Sequence, residues 1–191
     1  MAVMPSVALP VVTERLVLRL FTPDDVDDMA AYQGLDEVAR YLYRPPRSRQ
    51  ECAEVIERAA AGSAWRADGD ALILAVGRRG EAGVVGEIVL KLAGAAARQV
   101  EIGWVLNPAS QGRGYATEAA RAVVALAFEQ LGAHRLFARL DVENTGSVRL
   151  CERLGMRREA HLVENDVHPD GRWGSEYVYA MLEDEFRAAS T

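Results

Sequence analysis

The sequence has few of the residues that mark disulfide-stabilised or metal-binding proteins. It contains two cysteines, Cys52 and Cys151, and three histidines in 191 residues. Two cysteines are too few for a disulfide framework, and no group of cysteines and histidines has the spacing of metal ligands. We therefore predict no metal site, assign no function to the histidines, and expect a reducing, cytoplasmic environment.

Long apolar runs and a surplus of basic residues are also missing. Nowhere do about 18 apolar residues follow one another, and the start, MAVMPSVALPVV, lacks the basic segment of a signal peptide. The net charge is −6, whereas nucleic-acid binders use clustered lysines and arginines to neutralise phosphates. We expect neither export, membrane insertion nor nucleic-acid binding, and we interpret residues 1–12 as a loose leader of a single domain spanning 1–191.

The pattern of apolar residues predicts a mixed α/β protein. Strand-like runs are TERLVLRLF, ALILAVGRR, VVGEIVLKL, RQVEIGWVL, RLFARLDV and SEYVYAML, and helix-like runs cover 23–33, about 49–61, 116–133 and SVRLCERLG. The short links between the three middle strands favour an antiparallel meander, and a strand–helix–strand crossover follows it. Two strands around HPDG, one of them SEYVYAML, are predicted to form a pair near the C-terminus.

The turn NPASQGRGYATEA, residues 107–119, lies between a predicted strand and a predicted helix. The N–H groups of a first helical turn have no partner within the helix and, with the helix dipole, attract anions. Gly112 and Gly114 would let the backbone close around such an anion, Arg113 could add a charge and Thr117 a hydroxyl. A simple surface turn is the alternative. A dinucleotide fingerprint is excluded because Thr117 occupies the position of its third glycine.

This turn resembles the acetyl-CoA loop of the GCN5-related N-acetyltransferases, which has Gln or Arg, two residues, Gly, one residue, then Gly or Ala. VEIGWVLNP resembles the strand before that loop, and DVENTGSVRLCERLGM resembles the segment beside the pantetheine arm. TERLVLRLFTPDD and GRWGSEYVYAMLEDEF extend the likeness to the branch of ribosomal-protein N-terminal acetyltransferases (RimJ/RimL-like). The resemblance implies a splayed, mixed but mostly antiparallel sheet of about seven strands with about four helices, and acetyl-CoA as cosubstrate.

The same resemblance assigns a set of residues to the cosubstrate. Val105 and Leu106 would line the pantetheine, on a strand that offers a backbone N–H to the thioester oxygen. Asn144 would bond the pantetheine amides, although it could merely cap the following helix. The predicted pyrophosphate loop comprises Gln111, Gly112, Arg113, Gly114, Tyr115, Ala116 and Thr117, and Ser147 is predicted to contact the sulfur.

The catalytic residues are less clearly indicated. Relatives often place a tyrosine seven residues after Asn144 as the acid that protonates the thiolate, but here that position is Cys151. Ser147 is our first candidate to hydrogen-bond the thiolate. Cys151 is the second, with a packing role as its alternative. For the base we select Glu101, with Glu87 as alternative, because each interrupts an apolar strand; either could instead be paired with an arginine.

The sequence does not identify the acceptor. Tyr41, Tyr43, Trp104 and Trp173 are candidate pocket residues, and YLYRPPRSR carries Arg44, Arg47 and Arg49 where the family often has its acceptor-specific loop. The acceptor is predicted to be a primary amine, of a protein N-terminus or of a polyamine, aminoglycoside or amino-acid-like molecule. A non-catalytic acyl-CoA sensor is the rival from another class. A homodimer is expected, because the C-terminal strand pair can end as an exposed edge.

Overall fold

Residues 7–60 and 65–189, which our computed structural model describes, are organised around one mixed sheet. The strands of these residues form the order β1-β2-β3-β4-β5-β6-β8-β7. Their bounds are β1 Val11–Val12, β2 Leu16–Leu20, β3 Ala71–Arg78, β4 Gly86–Gly94, β5 Gln99–Leu106, β6 Arg135–Asp141, β7 Arg157–Val167 and β8 Trp173–Leu182. All neighbouring strands are antiparallel except β5 and β6.

Helices cover both faces of the sheet. They are α1 Val26–Gln33, α2 Asp36–Ala39, α3 Arg49–Ala60, α4 Tyr115–Glu129, α5 Thr145–Arg153 and α6 Glu183–Ala189, with single 3-10 turns at Pro23–Asp25 and Pro108–Ser110. Ser48 and Glu51 form a capping box before α3, in which each side chain bonds the backbone N–H of the other. Such a box satisfies donors that the first helical turn leaves free.

Strand alternation divides the core into two layers. Successive side chains of a strand point to opposite faces of a sheet. On one face Leu74 and Val76 of β3 pack with the buried side of α4, which includes Ala120 and Val123. On the other face Ala75 of β3 joins the cluster made with α1 and α3. The sheet is therefore enclosed on both sides around its middle strands.

The parallel pair β5–β6 is short and opens into a gap. Only Gln99–Glu101 of β5 pair with Arg135–Phe137 of β6, although both strands continue for several residues. The continuing ends diverge, so the edge of β5 from Ile102 to Leu106 faces an opening instead of a neighbouring strand. This opening positions the candidate site described below.

The structure confirms the predicted mixed and mostly antiparallel sheet, with its meander and its central crossover. It corrects the leader, because Val11 and Val12 pair with Leu18 and Val17 of β2 as an added strand. The helices α2 and α6 were not predicted. Residues 1–6 of the leader and Ala61, the predicted end of the second helix, lie outside the described residues.

The described residues contain neither a membrane-spanning helix nor a cluster of metal-binding side chains. No helix among them is long and apolar enough to cross a membrane. Within the same residues, no group of three or more histidines, cysteines, aspartates and glutamates could hold a metal ion.

Candidate active site

A cavity of about 780 Å³ lies along the free end of β5, beyond the point where β5 and β6 stop pairing. Its walls come from the end of β5, the glycine loop, the first turn of α4, one side of α5 as far as Arg153 and the segment 37–42 around α2. The predicted residues that line it are Val105, Leu106, Gln111, Gly112, Gly114, Tyr115, Ala116, Thr117, Asn144 and Ser147. Residues distant in the sequence thus meet at one opening.

The glycine loop adopts a conformation that favours glycine. Gly112 and Gly114 have φ angles of +74° and +79°, in the left-handed region where a side chain is strained. Gly114 is the N-cap of α4, and the first amide that bonds back to it is that of Glu118. The N–H groups of Tyr115, Ala116 and Thr117 therefore lack partners within the helix and lie at the cavity. The loop can bind an anion such as pyrophosphate through backbone donors.

Arg15, the residue before β2, is hydrogen-bonded to the glycine loop and to α4. Its Nη1 donates to the carbonyl of Arg113 at 2.9 Å, and its Nε donates to Glu118 at 2.7 Å. Thr13 donates to the same carboxylate at 2.6 Å. These hydrogen bonds outweigh burial and lower the pKa of Glu118. Arg15 was not predicted, because nothing in the TERL segment shows that it contacts a loop about 100 residues away.

Arg113 itself does not line the cavity among the described residues. It lies between the two left-handed glycines, and its carbonyl is engaged by Arg15. Its side chain is exposed. The predicted contact of Arg113 with the anion stays a prediction.

The strand β5 presents free backbone groups to the gap. Asn107 donates its N–H to Val85, next to β4, and antiparallel strands alternate which side each residue bonds. The N–H groups of Val105 and Gly103 therefore point to β4, whereas those of Trp104 and Leu106 point to the gap. No described strand pairs with that part of β5. These are donors that can receive a carbonyl oxygen.

The first turn of α5 carries two of the predicted residues. Asn144 caps the helix, since its side-chain oxygen accepts from the Ser147 N–H at 3.0 Å. Capping and cosubstrate binding are compatible, because the cap uses only Oδ1 and leaves the amide nitrogen able to donate. The Ser147 hydroxyl accepts from the indole N–H of Trp104 at 3.1 Å. Ser147 and Trp104 both line the cavity.

Cys151 lies one turn further along α5 and belongs to the core. It is fully buried, and within the described residues the cavity lining does not include it. Burial raises the pKa of its thiol to about 12, far above the ordinary value near 8.5. A thiol that holds its proton so tightly is a poor donor to a thiolate, so the geometry favours the packing role.

The two candidate bases differ in their surroundings. Glu101 is the last residue of β5 that pairs with β6, at the apex of the gap but outside the cavity lining. The hydrogen bond between Arg139 and Glu176 raises the pKa of Arg139, and the nearby charge of Glu101 adds to this effect. Glu87 is buried in β4, where Tyr32 and Gln33 each donate to one of its oxygens at 2.8 Å. Glu87 thus lies in a closed network away from the opening.

The aromatic candidates divide into two pairs. Tyr41 and Trp104 line the cavity. Tyr43 instead donates to Asp141 at 2.8 Å and stacks on His168, with 4.5 Å between ring centroids. Trp173, at the start of β8, is 65% exposed and is not among the described residues that line the cavity.

Two of the three loop arginines are engaged within the protein. Arg44 donates to the side chain of Gln33 and to the carbonyl of Pro45, and Arg49 bonds Asp27 at 2.6 Å. A role in acceptor binding therefore has less support at Arg44 and Arg49. Glu37 and Arg40, which were not predicted as site residues, carry charges at the cavity wall instead. No motif in the sequence marks them.

Comparison with known proteins agrees with this geometry. Residues 15–157 match the family model described as an acetyltransferase (GNAT) domain. The chain is 30% identical over 177 residues to an uncharacterized N-acetyltransferase, YnaD, of Bacillus subtilis, covering 92% of this chain and 98% of that protein. It is also similar to the crystal structure of a GNAT-family acetyltransferase from Bacillus anthracis, with a TM-score of 0.82, 31% identity, and coverage of 92% and 99% of the two chains.

Two more distant structures from Vibrio cholerae share the fold. One is a spermidine N-acetyltransferase in complex with CoA and spermine, with a TM-score of 0.78, 21% identity, and coverage of 92% and 99%. The other is a putative ribosomal-protein-serine acetyltransferase, with a TM-score of 0.69, 24% identity, and coverage of 90% and 95%. The family model spans most of the chain and the glycine loop, and the relatives match along nearly its whole length. This protein therefore belongs to the acetyltransferase (GNAT) family.

Proposed function

We propose that this protein transfers the acetyl group of acetyl-CoA, the donor used by its family, to a primary amine by direct attack in a ternary complex. The observation that carries the proposal is the gap between β5 and β6, where one cavity joins the glycine loop, the free edge of β5 and Ser147. Pyrophosphate binding, carbonyl polarisation and thiolate stabilisation each need one of these features.

The residues present fit acetyl-CoA. A Cβ added at Gly112 would meet no heavy atom within 4 Å, so the loop is open on that side to an approaching ligand. Backbone donors of Tyr115, Ala116 and Thr117 suit the pyrophosphate, and the Asn144 amide suits the pantetheine. Val105 and Leu106 supply the apolar wall between them.

In the proposed reaction the lone pair of a neutral amine attacks the thioester carbonyl carbon, and a C–N bond forms. The Trp104 and Leu106 N–H groups face the gap and can stabilise the oxygen as it gains negative charge. The C–S bond then breaks, and its electron pair leaves on sulfur. The Ser147 hydroxyl hydrogen-bonds that thiolate, the amine proton passes by way of water toward Glu101, and water restores the thiol proton.

We further propose that the acceptor is a protein N-terminal amine rather than a polyamine. The cavity wall carries one carboxylate, Glu37, and two guanidinium groups, Arg40 and Arg153. A molecule with several positive charges would meet more like charge than opposite charge on this wall. A peptide N-terminus brings a single ammonium group, which Glu37 can accommodate.

The test is acceptor-dependent thiol release from acetyl-CoA against N-terminal peptides, spermidine, aminoglycosides and amino acids. Turnover with peptides above that with spermidine supports the proposed acceptor, whereas the reverse order supports a polyamine enzyme. Binding of acetyl-CoA without turnover for any amine would contradict the catalytic proposal and support a sensor.

Three further predictions from the sequence stay proposals: the single domain, the cytoplasmic location and the homodimer. Both cysteines are free in the structure, which supports a reducing compartment. The outer edge of β7 has no neighbouring strand among the described residues, which supports pairing with a second copy. Light scattering on the purified protein measures the dimer directly.

A further inference from the structure

A hydrogen bond crosses the gap between two residues 43 positions apart in the sequence. The indole Nε1 of Trp104, on β5, donates to Oγ of Ser147, in the first turn of α5, at 3.1 Å. Both side chains line the cavity. The bond therefore joins the two sides of the opening at the place where the proposed function puts the sulfur.

Ser147 is fixed at two points. Its backbone N–H bonds the Asn144 side chain at 3.0 Å, and its hydroxyl oxygen accepts from Trp104. The indole is in turn held by packing of Trp104 against the main core cluster. A serine hydroxyl otherwise samples three staggered rotamers, and an oxygen that accepts one N–H still has its own hydrogen to donate.

The hydrogen of the Ser147 hydroxyl can point into the cavity. In the described part of the chain no protein oxygen or nitrogen accepts it, and the Ser147 side chain borders the cavity. Cys151, one turn further along α5, is buried in the core. The Ser147 hydroxyl can therefore turn its hydrogen toward a sulfur in the gap.

We propose that Trp104 is a positioning residue for Ser147. By donating to the oxygen, it selects one rotamer of the hydroxyl and leaves the O–H directed at the departing thiolate. No proton changes owner in this step, since the thiolate only accepts a hydrogen bond. This inference rests on the proposed function and adds to it a role for the Trp104 side chain, which acts through Ser147.

The kinetic test uses Trp104→Phe, which keeps an aromatic ring and removes the donor, together with Ser147→Ala and the double variant. Trp104→Phe is expected to lower kcat about two- to tenfold, the range for one neutral hydrogen bond, with little change in the KM for acetyl-CoA. In the Ser147→Ala background the same substitution is expected to change kcat by less than about twofold, because the partner is already gone. Trp173→Phe, at an exposed tryptophan, is the matched control and should leave kcat unchanged. Thermal midpoints of all variants identify any loss of folding.

Independent effects that multiply in the double variant would overturn the proposal, as would a Trp104→Phe effect confined to KM. A second measurement does not depend on turnover. In ¹H–¹⁵N spectra, Ser147→Ala should shift the indole N–H signal that Trp104→Phe removes and leave the other indole signals in place. The wild-type signal should also keep its position when CoA is added.

The two proposals fail in different ways. Absence of acetyl transfer by the wild-type protein contradicts the proposed function. The indole signal then decides the positioning proposal alone. An indole signal that ignores Ser147→Ala, or that moves to the position of a free indole when CoA binds, would overturn it.

Discussion

At the scale of single residues, Gly114 combines a backbone requirement with a place at the cavity. Its φ of +79° is in the left-handed region, and an added Cβ would lie 3.3 Å from Arg15 Nη2. The substituent would thus press on the guanidinium that holds the loop. Both effects concern the few atoms that we propose to bind the pyrophosphate.

We expect Gly114→Val to abolish acetyl-CoA binding in calorimetry while the fold persists. Gly80→Val is the matched control, since Gly80 has a φ of +74° and no heavy atom within 4 Å of the added Cβ. Both variants carry the left-handed strain, about 1–2 kcal/mol, but only the first changes the loop. If Gly114→Val binds as well as Gly80→Val, the loop is a surface turn and the assignment is wrong.

Glu101 offers a second test at this scale. If it receives the amine proton, Glu101→Gln should lower kcat/KM about 100-fold or more near neutral pH. The loss should shrink at high pH, where the acceptor amine loses its proton in solution. Glu57→Gln, at an exposed glutamate of α3, should have no effect. An unchanged kcat/KM for Glu101→Gln across the pH range would remove Glu101 from this role.

At the scale of elements, the segment after α2 is packed against the start of β8. A Cβ at Gly174 would lie 2.4 Å from Tyr43 Cε1 and 2.7 Å from His168 Nε2. Tyr43 in turn bonds Asp141 of β6, and burial, followed by this bond, raises the pKa of Tyr43 above its ordinary value. The close approach at Gly174 thus fixes one wall of the cavity.

Gly174→Ala should displace Tyr43 and weaken its bond to Asp141, at a cost of about 1–3 kcal/mol in the free energy of unfolding. Since Tyr41 and Arg40 line the cavity just before Tyr43, the KM for the acceptor should rise more than the KM for acetyl-CoA. Urea unfolding and steady-state kinetics measure the two effects. Gly94→Ala, where the nearest atom is Gln99 Cβ at 3.7 Å, should show neither of them.

The elements that could be predicted from the sequence are those whose signals are local. Ser48 and Glu51 have the spacing of a capping box, and the structure contains that box. Helix α2 has a single turn, Asp36–Ala39, too short to establish a periodicity. Strand β1 has two residues and exists because β2 offers it an edge, which no local pattern reveals.

The candidate site divides in the same way. Gly112 and Gly114 could be identified because left-handed glycines before a helix leave a motif in the sequence. Contacts such as Arg15 with Arg113, or Trp104 with Ser147, join residues far apart in the chain and depend on how the sheet is assembled. Glu87 interrupts an apolar strand as Glu101 does, and only the structure distinguishes its closed network from an opening.

At the scale of the whole molecule, Glu87 links the pH to the stability of the fold. Burial raises the pKa of Glu87 above its ordinary 4.5, although Tyr32 and Gln33 donate to it. In the native state the Glu87 carboxyl therefore keeps its proton at pH values where the same carboxyl in the unfolded chain has lost it. The resulting stability is fully present below the unfolded pKa and is lost as the pH rises through the folded pKa.

Glu87→Gln cannot titrate, so the stability of the wild type relative to this variant should decrease as the pH increases above about 4.5. Urea unfolding at a series of pH values between about 4 and 8 gives this difference. In Glu57→Gln, which changes an exposed glutamate, the difference should not vary with pH. A constant difference for Glu87→Gln would contradict the raised pKa.

The unpaired edge of β5 has one more consequence. Amides of Gly103 and Val105 are bonded to β4, whereas those of Trp104 and Leu106 face the gap. Deuterium should therefore replace hydrogen quickly at every second residue of this strand and slowly at the residues between. A thioester in the gap would cover the fast sites, so the alternation would fade as the donor binds. Amide exchange along this strand then measures the fraction of protein that has bound the donor, even in a preparation for which no acceptor has been found.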